Sequence, residues 1–518
     1  MLFAEDADDN LCMADTEHAT ERERELERRL RLLEADYKEL RDKNRKLEGE
    51  NDELQDEVEQ LEDKTQQLQD RERKLKEDLD KALSELARAR KTSRNSSKRP
   101  SSDIVKRPRA GTGGTARLGA QPGHPKHERP PFAPNEIDHW LTYTMGCCPD
   151  CQGPVEPCAS VLPNVVQQVE LKDKPTAVTE HKGLWYWCAK CQKLHCALPR
   201  AVQKEGLCGP LLTAWIGYVK GACHMSFSSI RKFLRDVLQV RVSRGLLANV
   251  VAKVSAALAD PWEELRMLLP LSKILNVDET GHKENGQRLY TWCFRARQYI
   301  LFKIAESRST AVLLEMLGAD FDGVIGCDYF SSYRCYMREF GGVLQFCLAH
   351  LIRDVKFLLD LPDAATQAYG QRFLESLRQL FRLIHRRDEM SELVFKYCLE
   401  GQRCEILRVA LSQVPETREA RNLAARLEQH GESYFRFITT PGVEPTNNLA
   451  EQAIRFVVID RHVTQGTRSE KGRLWCERIW SILATCQEQG ISAFQFIRDA
   501  VQAYFVGAPA PSLVPASP

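Results

Sequence analysis

Three carboxylates stand where predicted secondary-structure elements end or begin. Asp278 follows the apolar run Ile-Leu-Asn-Val, Asp328 follows Gly-Val-Ile-Gly-Cys, and Glu451 lies within Asn-Asn-Leu-Ala-Glu-Gln-Ala-Ile-Arg. Acidic side chains at two strand ends and on one helix can converge, and carboxylate oxygens are the ligands that Mg²⁺ prefers. Two such ions clamp the attacking and leaving oxygens of a phosphoryl transfer. If the three acids meet, they predict a site of metal-dependent phosphoryl transfer.

Each aspartate also has an ordinary interpretation, as a turn residue at the end of a strand. Two neighbouring carboxylates repel each other, so a pair of them is costly without a cation. Asp278 is followed directly by Glu279, and adjacent side chains of a strand point to opposite faces. Only one of the two can face a given site, and we select Asp278 because it directly ends the apolar run.

Glu451 has two structural alternatives of its own. With Asn448 as the N-cap of a helix, Glu451 would be the third helical residue and could complete a capping box. It also precedes Arg455 by four residues, which is the spacing of a helical ion pair. Spacing alone favours these two roles over metal binding.

The segments around the acids predict a mixed sheet with covering helices. Apolar and β-branched residues predict strands over 274–277, 288–295, 299–305 and 323–327, and helical spacing predicts a helix over 308–317. The second and third strands can pair through the turn Ala296-Arg297-Gln298. A charged helical pattern over 352–437 interrupts this core, which therefore comprises 270–351 and 438–506.

The N-terminal region, residues 20–90, carries a long heptad repeat. Its first seam is Leu26, Leu33, Leu40, Leu47, Leu54, Leu61, Leu68 and Leu75, and its second includes Leu30, Tyr37, Val58, Leu79 and Leu86. This pattern predicts a leucine-zipper coiled coil, on the order of 100 Å long at roughly 1.5 Å per residue. Asn44 and Asn51 fall on the second seam, where a buried polar side chain favours one register and typically a parallel dimer. The alternative is a solvated single helix, which eight consecutive heptad leucines argue against.

Residues 91–131 lose this periodicity and gain Ser, Gly, Pro and basic residues, as in Lys106-Arg107-Pro108-Arg109. Such a composition predicts a basic disordered linker. The linker is either a solvated tether or a segment that follows nucleic-acid phosphates with salt-dependent affinity. A disordered tail is predicted over 507–518.

Two C-x-x-C pairs predict a zinc-binding module over residues 132–204. Cys148 and Cys151 form the first pair and Cys188 and Cys191 the second, with 36 residues between the pairs. Four thiolates can surround one tetrahedral Zn²⁺, and a reducing compartment keeps the chain's 18 cysteines as thiols. Nearby substitutes leave the ligand set open: Cys147, Cys158, His195 and Cys196. Buried thiols without metal are the structural alternative.

Residues 205–260 predict a helical, helix-turn-helix-like domain. The helical segments are 207–222, 226–238 and 243–258, and Ser226 and Ser243 are suitable N-caps. The short break between the last two segments suits a helix-turn-helix that binds DNA. A helical bundle without DNA contacts is equally compatible with the sequence.

The composition bounds the class of protein. A chain of 518 residues exceeds a single core, so a multidomain protein is expected. The net charge of +1 conceals segregated charge, so local charge is the useful quantity. The sequence shows no apolar signal region and no run of about 18 uncharged apolar residues, which favours a cytoplasmic protein.

Four motifs together resemble the insertion sequence 66 family of bacterial transposases. They are Ile-Leu-Asn-Val-Asp-Glu-Thr at 274–280, Cys-Asp-Tyr-Phe-Ser-Ser-Tyr at 327–333, Cys-Leu-Ala-His at 347–350 and Asn-Asn-Leu-Ala-Glu-Gln-Ala-Ile-Arg at 447–455. Gly-Ala-Gln-Pro-Gly-His at 119–124, the paired C-x-x-C motifs and the heptads resemble the N-terminal half of the same family. Gln452 stands where the family commonly has Arg, and 461–463 lack its basic-aromatic pattern. These departures concern DNA contacts rather than the acids.

The resemblance implies an α/β ribonuclease-H-like catalytic core with an α-helical insertion before the final acid. It assigns the catalytic triad to Asp278, Asp328 and Glu451, which would hold two Mg²⁺ or Mn²⁺ ions. The implied reaction is cleavage at the ends of an insertion element and transfer of the freed 3′-hydroxyl into target DNA, without a protein–DNA covalent intermediate. The implied partners are double-stranded DNA, further copies of the chain and accessory proteins of the same element, in the cytoplasm and at the nucleoid.

Cys347 and His350 fall at a predicted strand-to-helix junction. We expect both side chains to be buried and hydrogen bonded. A metal-binding or DNA-facing role is the alternative for this pair.

Two other functions share most of these features. The first is a dimeric zinc-containing DNA-binding regulator with an inactive core, which the intact set of three acids argues against. The second is a ribonuclease-H-like nuclease without strand transfer, which would leave the long zipper unexplained.

Overall fold

The computed structural model describes residues 21–91, 131–144, 147, 150–153, 165–169, 175–188 and 190–515. It does not describe the side chains of residues 21–23, 48, 51–54, 56, 188, 193 and 194. Residues 92–130 of the predicted linker, and also Cys148 and Cys158, lie outside the described residues. The chain divides into two compact units, Met1–Arg90 with Leu361–Asp363, and Lys91–Asp360 with Ala364–Pro518.

Most of the described first unit is one helix, α1 (Glu21–Ala89), which runs for 69 residues. Charged side chains pair along it at helical spacing, as in the 2.7 Å contact from Lys43 Nζ to Glu39 Oε1. The first-seam leucines whose side chains are described lie on its surface, and Leu33 and Leu40 are 62% and 65% exposed. The helical part of the N-terminal prediction is confirmed.

Before the central sheet, the described part of the second unit contains a one-turn 3₁₀ helix (Pro134–Glu136), a small hairpin and five helices. In the hairpin, β1 (Trp185–Cys188) runs antiparallel to β2 (Lys193–Cys196). The helices are α2 (Arg200–Glu205), α3 (Pro210–Gly221), α4 (Phe227–Asp236), α5 (Arg244–Ala257) and α6 (Ala259–Leu268). Ser226 and Ser243 cap α4 and α5, accepting hydrogen bonds at 3.0 and 3.1 Å from the backbone N–H groups of Ser229 and Leu246. Both predicted N-caps are confirmed.

The centre of the second unit is a five-stranded mixed sheet in the order β5-β4-β3-β6-β7. Its strands are β3 (Ile274–Glu284), β4 (Gln287–Arg295), β5 (Ile300–Ala305), β6 (Val324–Cys327) and β7 (Val343–Phe346). The first three form an antiparallel meander, β6 runs parallel to β3, and β7 runs parallel to β6. The four predicted strands are confirmed. The first is longer than predicted, because β3 pairs with β4 as far as Glu284.

Helices surround this sheet. Those that connect or cover the strands are α7 (Thr310–Leu317), α8 (Ser331–Phe340), α9 (Leu348–Leu358), α14 (Asn448–Thr464), α15 (Glu470–Glu488) and α16 (Ala493–Val506). The inserted helices are α10 (Ala364–His385), α11 (Glu392–Leu411), α12 (Arg418–Tyr434) and α13 (Arg436–Thr439). Among the described helices, none is long and apolar enough to cross a membrane.

The inserted helices contact the residue that follows Asp328. Arg426 of α12 lies over the Tyr329 ring, 4.1 Å from its centroid, and its Nη1 pairs with Asp354 Oδ2 at 2.8 Å. Phe346 of β7 packs edge-on against the same ring, with 5.1 Å between centroids. The insertion therefore contacts the segment that follows β6, where Asp328 lies.

Helix α15 covers the open edge of the sheet with a polar stripe. Ser481 Oγ accepts a 2.8 Å hydrogen bond from Phe302 N–H of β5, and Glu477 Oε1 accepts one of the same length from Ile304 N–H. Thr485 Oγ1 similarly accepts from the first residue of β5 at 3.1 Å. An edge strand presents unpaired backbone groups that invite pairing with another chain, and these side chains satisfy three of them.

Glu477→Gln is expected to raise the free energy of unfolding at about pH 7, since the amide oxygen still accepts from Ile304. Burial raises the pKa of the Glu477 carboxyl. A carboxyl whose pKa is higher in the folded protein than in the unfolded chain stabilises the fold at pH values below the unfolded pKa of about 4.3. This stabilisation is lost as the pH rises through the folded pKa. Urea unfolding should therefore show a larger gain for the variant at about pH 7 than at about pH 4.

The control for this test is Glu477→Ala, which leaves the Ile304 N–H without its acceptor. Relative to Glu477→Gln, this change should cost about 1–3 kcal/mol at both pH values, because neither variant has a titrating group at residue 477. Equal stability of the Gln and Ala variants would contradict the edge contact.

The described part of the C-terminal tail is packed against the core. Leu513 is 1% exposed, and its carbonyl accepts a 2.8 Å hydrogen bond from Gln489 Nε2. Ser512 Oγ donates to Glu264 Oε2 at 2.6 Å. The prediction of a disordered tail over 507–518 is wrong for this part. The buried Leu513 anchors a segment whose composition alone suggested disorder.

Candidate active site

Asp278 lies within β3, and Asp328 directly follows β6, the parallel neighbour of β3. The last pair of the ladder between β3 and β6 is Asn276 with Gly326. Each aspartate is two residues beyond its member of that pair. The two predicted acids therefore occupy corresponding positions in sequence, just past the last pair of the ladder.

The electrostatics around the two aspartates agree with that placement. Asp278 Oδ1 accepts a 2.9 Å hydrogen bond from the Glu279 N–H, and Asp328 Oδ1 accepts one of the same length from the Phe330 N–H. Burial raises the pKa of the Cys327 thiol well above its usual value, and the charges of Asp328, Glu279, Cys347 and Asp278, in decreasing order of effect, raise it further. The charges of both aspartates therefore affect the same buried thiol, that of Cys327 at the end of β6.

Glu279 serves the fold rather than the candidate site. It is fully buried and accepts a 2.9 Å hydrogen bond from Arg308 Nε on one oxygen and a 2.6 Å bond from the Tyr333 hydroxyl on the other. Burial and the Glu279 charge raise the pKa of Tyr333 well above its usual value, so the phenol stays protonated and donates. These partners occupy Glu279 and leave Asp278 as the acid at the strand edge.

Asn447 fastens the helix of Glu451 to the strand of Asp278. Its Oδ1 accepts from Asn276 Nδ2 at 3.0 Å, and its Nδ2 donates to the Val277 carbonyl at 2.7 Å. Its backbone N–H donates to Cys347 Sγ at 3.1 Å. Asn447 is 2% exposed, and its role was missed from the sequence, where the Asn-Asn doublet before Leu-Ala-Glu was its only signal.

The capping-box interpretation of Glu451 is wrong. Helix α14 begins at Asn448, so the N-cap is Asn447 and Glu451 is the fourth helical residue instead of the third. The Asn447 side chain makes no capping bond, because it is committed to β3. Glu451 is thereby one turn away from the residue that touches the strand of Asp278.

The Glu451 carboxylate lies between two basic groups. Its Oε2 is 3.5 Å from Arg353 Nη2, and its Oε1 is 3.7 Å from His350 Nε2. Both partners belong to α9, whereas the sequence suggested an ion pair with Arg455 on the same helix. Glu451 is therefore held across two helices.

Glu451 also belongs to a group of possible metal ligands. Ligand atoms of Cys347, His350 and Glu451 all lie within 4.8 Å of one another, and this is the group of three or more such residues found within the described part of the chain. Asp278 and Asp328 are not members of that group. The structure thus places Glu451 with a cysteine and a histidine, and the joint role of the two aspartates stays a prediction.

Comparison with known families identifies the matched region. The family description "Transposase IS66 family" matches residues 205–473, just over half of the chain. The chain belongs to this family. The match contains the three acids and Cys347 and His350, and it supports a DNA-processing enzyme in the broad sense. A comparison with curated proteins found no match.

In this IS66-family transposase the Cys-x-x-His motif is buried, as expected. Burial raises the pKa of Cys347 to about 11. Burial and the charge of Arg353 lower the pKa of His350, so the imidazole is neutral at neutral pH. The Cys347 sulfur accepts from Asn447, and His350 Nε2 lies 3.3 Å from Arg353 Nη1.

The predicted zinc ligands of the transposase are described only in part. β1 ends at Cys188 and Cys191 lies in the turn that follows, where Cys191 Sγ is 3.2 Å from His195 Nε2. Cys151 is exposed, whereas Cys148 and the Cys188 side chain lie outside the described residues. The four-ligand set therefore stays a prediction.

Proposed function

We propose that this transposase uses Asp278, Asp328 and Glu451 to hold two Mg²⁺ or Mn²⁺ ions, cleaves DNA at the ends of an insertion element and joins the ends to target DNA. The observation that supports the proposal is the hydrogen bond from Asn447 Nδ2 to the Val277 carbonyl, which joins the start of the Glu451 helix to the residue before Asp278. The parallel ladder of β3 and β6 adds to this support, since each aspartate is two residues beyond its last pair. Three hard carboxylates in this arrangement suit divalent cations that prefer oxygen ligands.

The strand order supports a ribonuclease-H-like core. Three antiparallel strands are followed by two strands parallel to β3, and the helices of the insertion separate β7 from the helix that carries Glu451. This is the arrangement that the motifs implied, with a helical insertion before the last acid.

The reaction needs no covalent bond to the protein. In the first step water attacks a phosphodiester, forming one P–O bond and breaking another to free a 3′-hydroxyl. In the second step that hydroxyl attacks a target phosphodiester with the same exchange of bonds. Bound divalent cations supply neutralisation of the charge that develops on the phosphate and the departing oxygen. The carboxylates position these ions and do not act as nucleophiles.

A strand-transfer assay tests the proposal. Linear DNA with labelled element ends is incubated with the full chain, Mg²⁺ and a target plasmid, and label should enter the plasmid. Cleavage without joining would favour a nuclease, and binding without cleavage would favour a regulator with an inactive core.

The DNA contacts are proposed for the parts of the chain that precede the sheet. Residues 237–243 join α4 to α5, a longer connection than the roughly 3–4-residue turn of a helix-turn-helix, so the proposed DNA contacts of this pair rest on the sequence pattern. The basic sequence of residues 91–131 adds phosphate contacts with strong salt dependence. Zinc bound by Cys148, Cys151, Cys188 and Cys191 would stabilise the intervening module, with His195 as a near alternative to one thiolate.

We also propose that α1 forms a coiled-coil dimer. The first-seam leucines whose side chains are described are all more than half exposed, so a single chain leaves a row of apolar side chains in water. A second copy would bury that row knobs-into-holes, and Asn44 on the second seam would favour one register.

Leu33→Asp is expected to weaken self-association, while Leu32→Asp leaves it unchanged. The two leucines are adjacent and similarly exposed, at 62% and 60%, yet only Leu33 lies on the seam. Losing about 2 kcal/mol of burial in each chain corresponds to roughly a thousandfold weaker dimer. Sedimentation equilibrium measures the effect, and equal weakening by both variants would contradict the heptad assignment.

A further inference from the structure

Cys347, His350 and Glu451 combine three ligand types that one soft cation accepts together. Thiolate, imidazole and carboxylate are the ligands of Zn²⁺, which is bound by three protein groups and a water where a site stays open. Mg²⁺ would not use the thiolate or imidazole, because it prefers oxygen. The cluster therefore differs in chemistry from the proposed Mg²⁺ site of Asp278 and Asp328.

The spacing of the cluster is close to that of ligands around one ion. Metal–ligand bonds of about 2.0–2.3 Å in a tetrahedron place ligand atoms roughly 3.3–3.6 Å apart. The Glu451 Oε1 to His350 Nε2 distance is 3.7 Å, and the separations within the cluster stay within 4.8 Å. Side-chain movements of about an ångström would bring the three ligand atoms to the spacing of a tetrahedral site.

Two atoms of the cluster are buried without a hydrogen-bond partner among the described residues, Glu451 Oε1 and His350 Nδ1. His350 is 8% exposed. A buried carboxylate oxygen without a hydrogen bond is costly, so a native structure usually satisfies it with a partner, a water or an ion. Glu451 Oε1 faces the imidazole, which is where a shared cation would lie.

Arg353 is the group that a cation would have to replace. It lies 3.5 Å from Glu451 Oε2 and its side chain is 20% exposed. A partly exposed arginine can turn toward solvent while a cation neutralises Glu451 in its place. The Cys347 proton would leave to solvent as the sulfur–metal bond forms.

We propose that Cys347, His350 and Glu451 form a second metal site for a thiophilic divalent cation such as Zn²⁺, and that its occupation withdraws Glu451 from the Mg²⁺ site and stops DNA cleavage. The binding part stands on the cluster alone, whereas the inhibitory part rests on the proposed catalytic role of Glu451. Glu451 is the one residue common to both sites, so the two cations compete for it.

Cobalt loading tests the binding part without any activity measurement. The full-length wild-type protein should bind one more Co²⁺ per chain than Cys347→Ser, with loss of a thiolate-to-metal absorption band. Cys486→Ser is the matched control, since Cys486 is equally buried but lies in α15 outside the cluster. Equal stoichiometry and spectra of the wild type and Cys347→Ser would overturn the site.

Zinc titration of Mg²⁺-dependent DNA cleavage tests the inhibitory part. The measured quantity is the Zn²⁺ concentration that halves each protein's own Mg²⁺-dependent rate. Cys347→Ser should need at least about tenfold more Zn²⁺ than the wild type, since even outer-shell changes cost a metal site roughly 10–100-fold. Equal zinc sensitivity of both proteins would overturn the competition for Glu451. If the wild type cleaves no DNA with Mg²⁺, the proposed function fails, and the cobalt stoichiometry still decides whether the second site exists.

Discussion

Asp278→Asn is expected to abolish DNA cleavage and joining while leaving the binding of element ends intact. The substitution keeps the size of the side chain and its hydrogen bond from the Glu279 N–H, but it removes the charge that would hold a cation beside Asp328. Loss of a metal ligand should lower the cleavage rate by at least about 10³-fold, which corresponds to roughly 4 kcal/mol of transition-state stabilisation. Single-turnover cleavage of labelled end DNA measures the rate, and a mobility-shift assay measures binding. Asp328→Asn and Glu451→Gln should behave alike.

Glu279→Gln provides the matched control, because it changes the adjacent carboxylate in the same way. Glu279 is engaged by Arg308 and Tyr333, so its substitution should lower stability and spare the rate per folded molecule. The proposed triad would be refuted by normal cleavage in Asp278→Asn. If Glu279→Gln lowers the cleavage rate by more than its loss of folded protein explains, then Glu279 and Asp278 have been assigned to the wrong faces of β3.

Local patterns in the sequence predicted the elements that hold the candidate site. Alternation along the strand separated Asp278 from Glu279, and the structure commits Glu279 to Arg308 and Tyr333. Ser226 and Ser243 marked helix starts because a side-chain oxygen bonding to nearby N–H groups is a local interaction. Strand periodicity and capping need only neighbouring residues, which explains why these predictions succeeded.

Contacts between distant segments were beyond those local patterns. Asn447 is the N-cap residue of α14, yet its side chain bonds to Asn276 and Val277, more than 150 residues earlier. Glu451 does not have its predicted capping role, and its carboxylate lies near His350 and Arg353 on another helix. Nothing in the helical spacing of 447–455 specifies these partners, because they depend on how α14 lies on the sheet.

Arg308→Met is expected to lower the free energy of unfolding by about 3–5 kcal/mol. Glu279 is fully buried, and the substitution would leave its carboxylate with the Tyr333 hydroxyl but without its cation. Removing one member of a buried ion pair is costly because the remaining charge stays out of water. Arg308 also lies 3.9 Å from the centroid of the Phe330 ring, and that contact would weaken. Urea unfolding followed by circular dichroism measures the loss.

The double variant Glu279→Gln with Arg308→Met separates the cost of an unpaired charge from lost packing. If the buried charge dominates, the double variant should be more stable than Arg308→Met alone, since no charge then remains buried. Arg266→Met is the matched control, because Arg266 pairs with Glu263 where both side chains are more than a third exposed. That change should cost less than about 1 kcal/mol. A similar cost at Arg308 and Arg266 would mean that Glu279 stays solvated, and the acid facing the strand edge would then have to be chosen anew between Asp278 and Glu279.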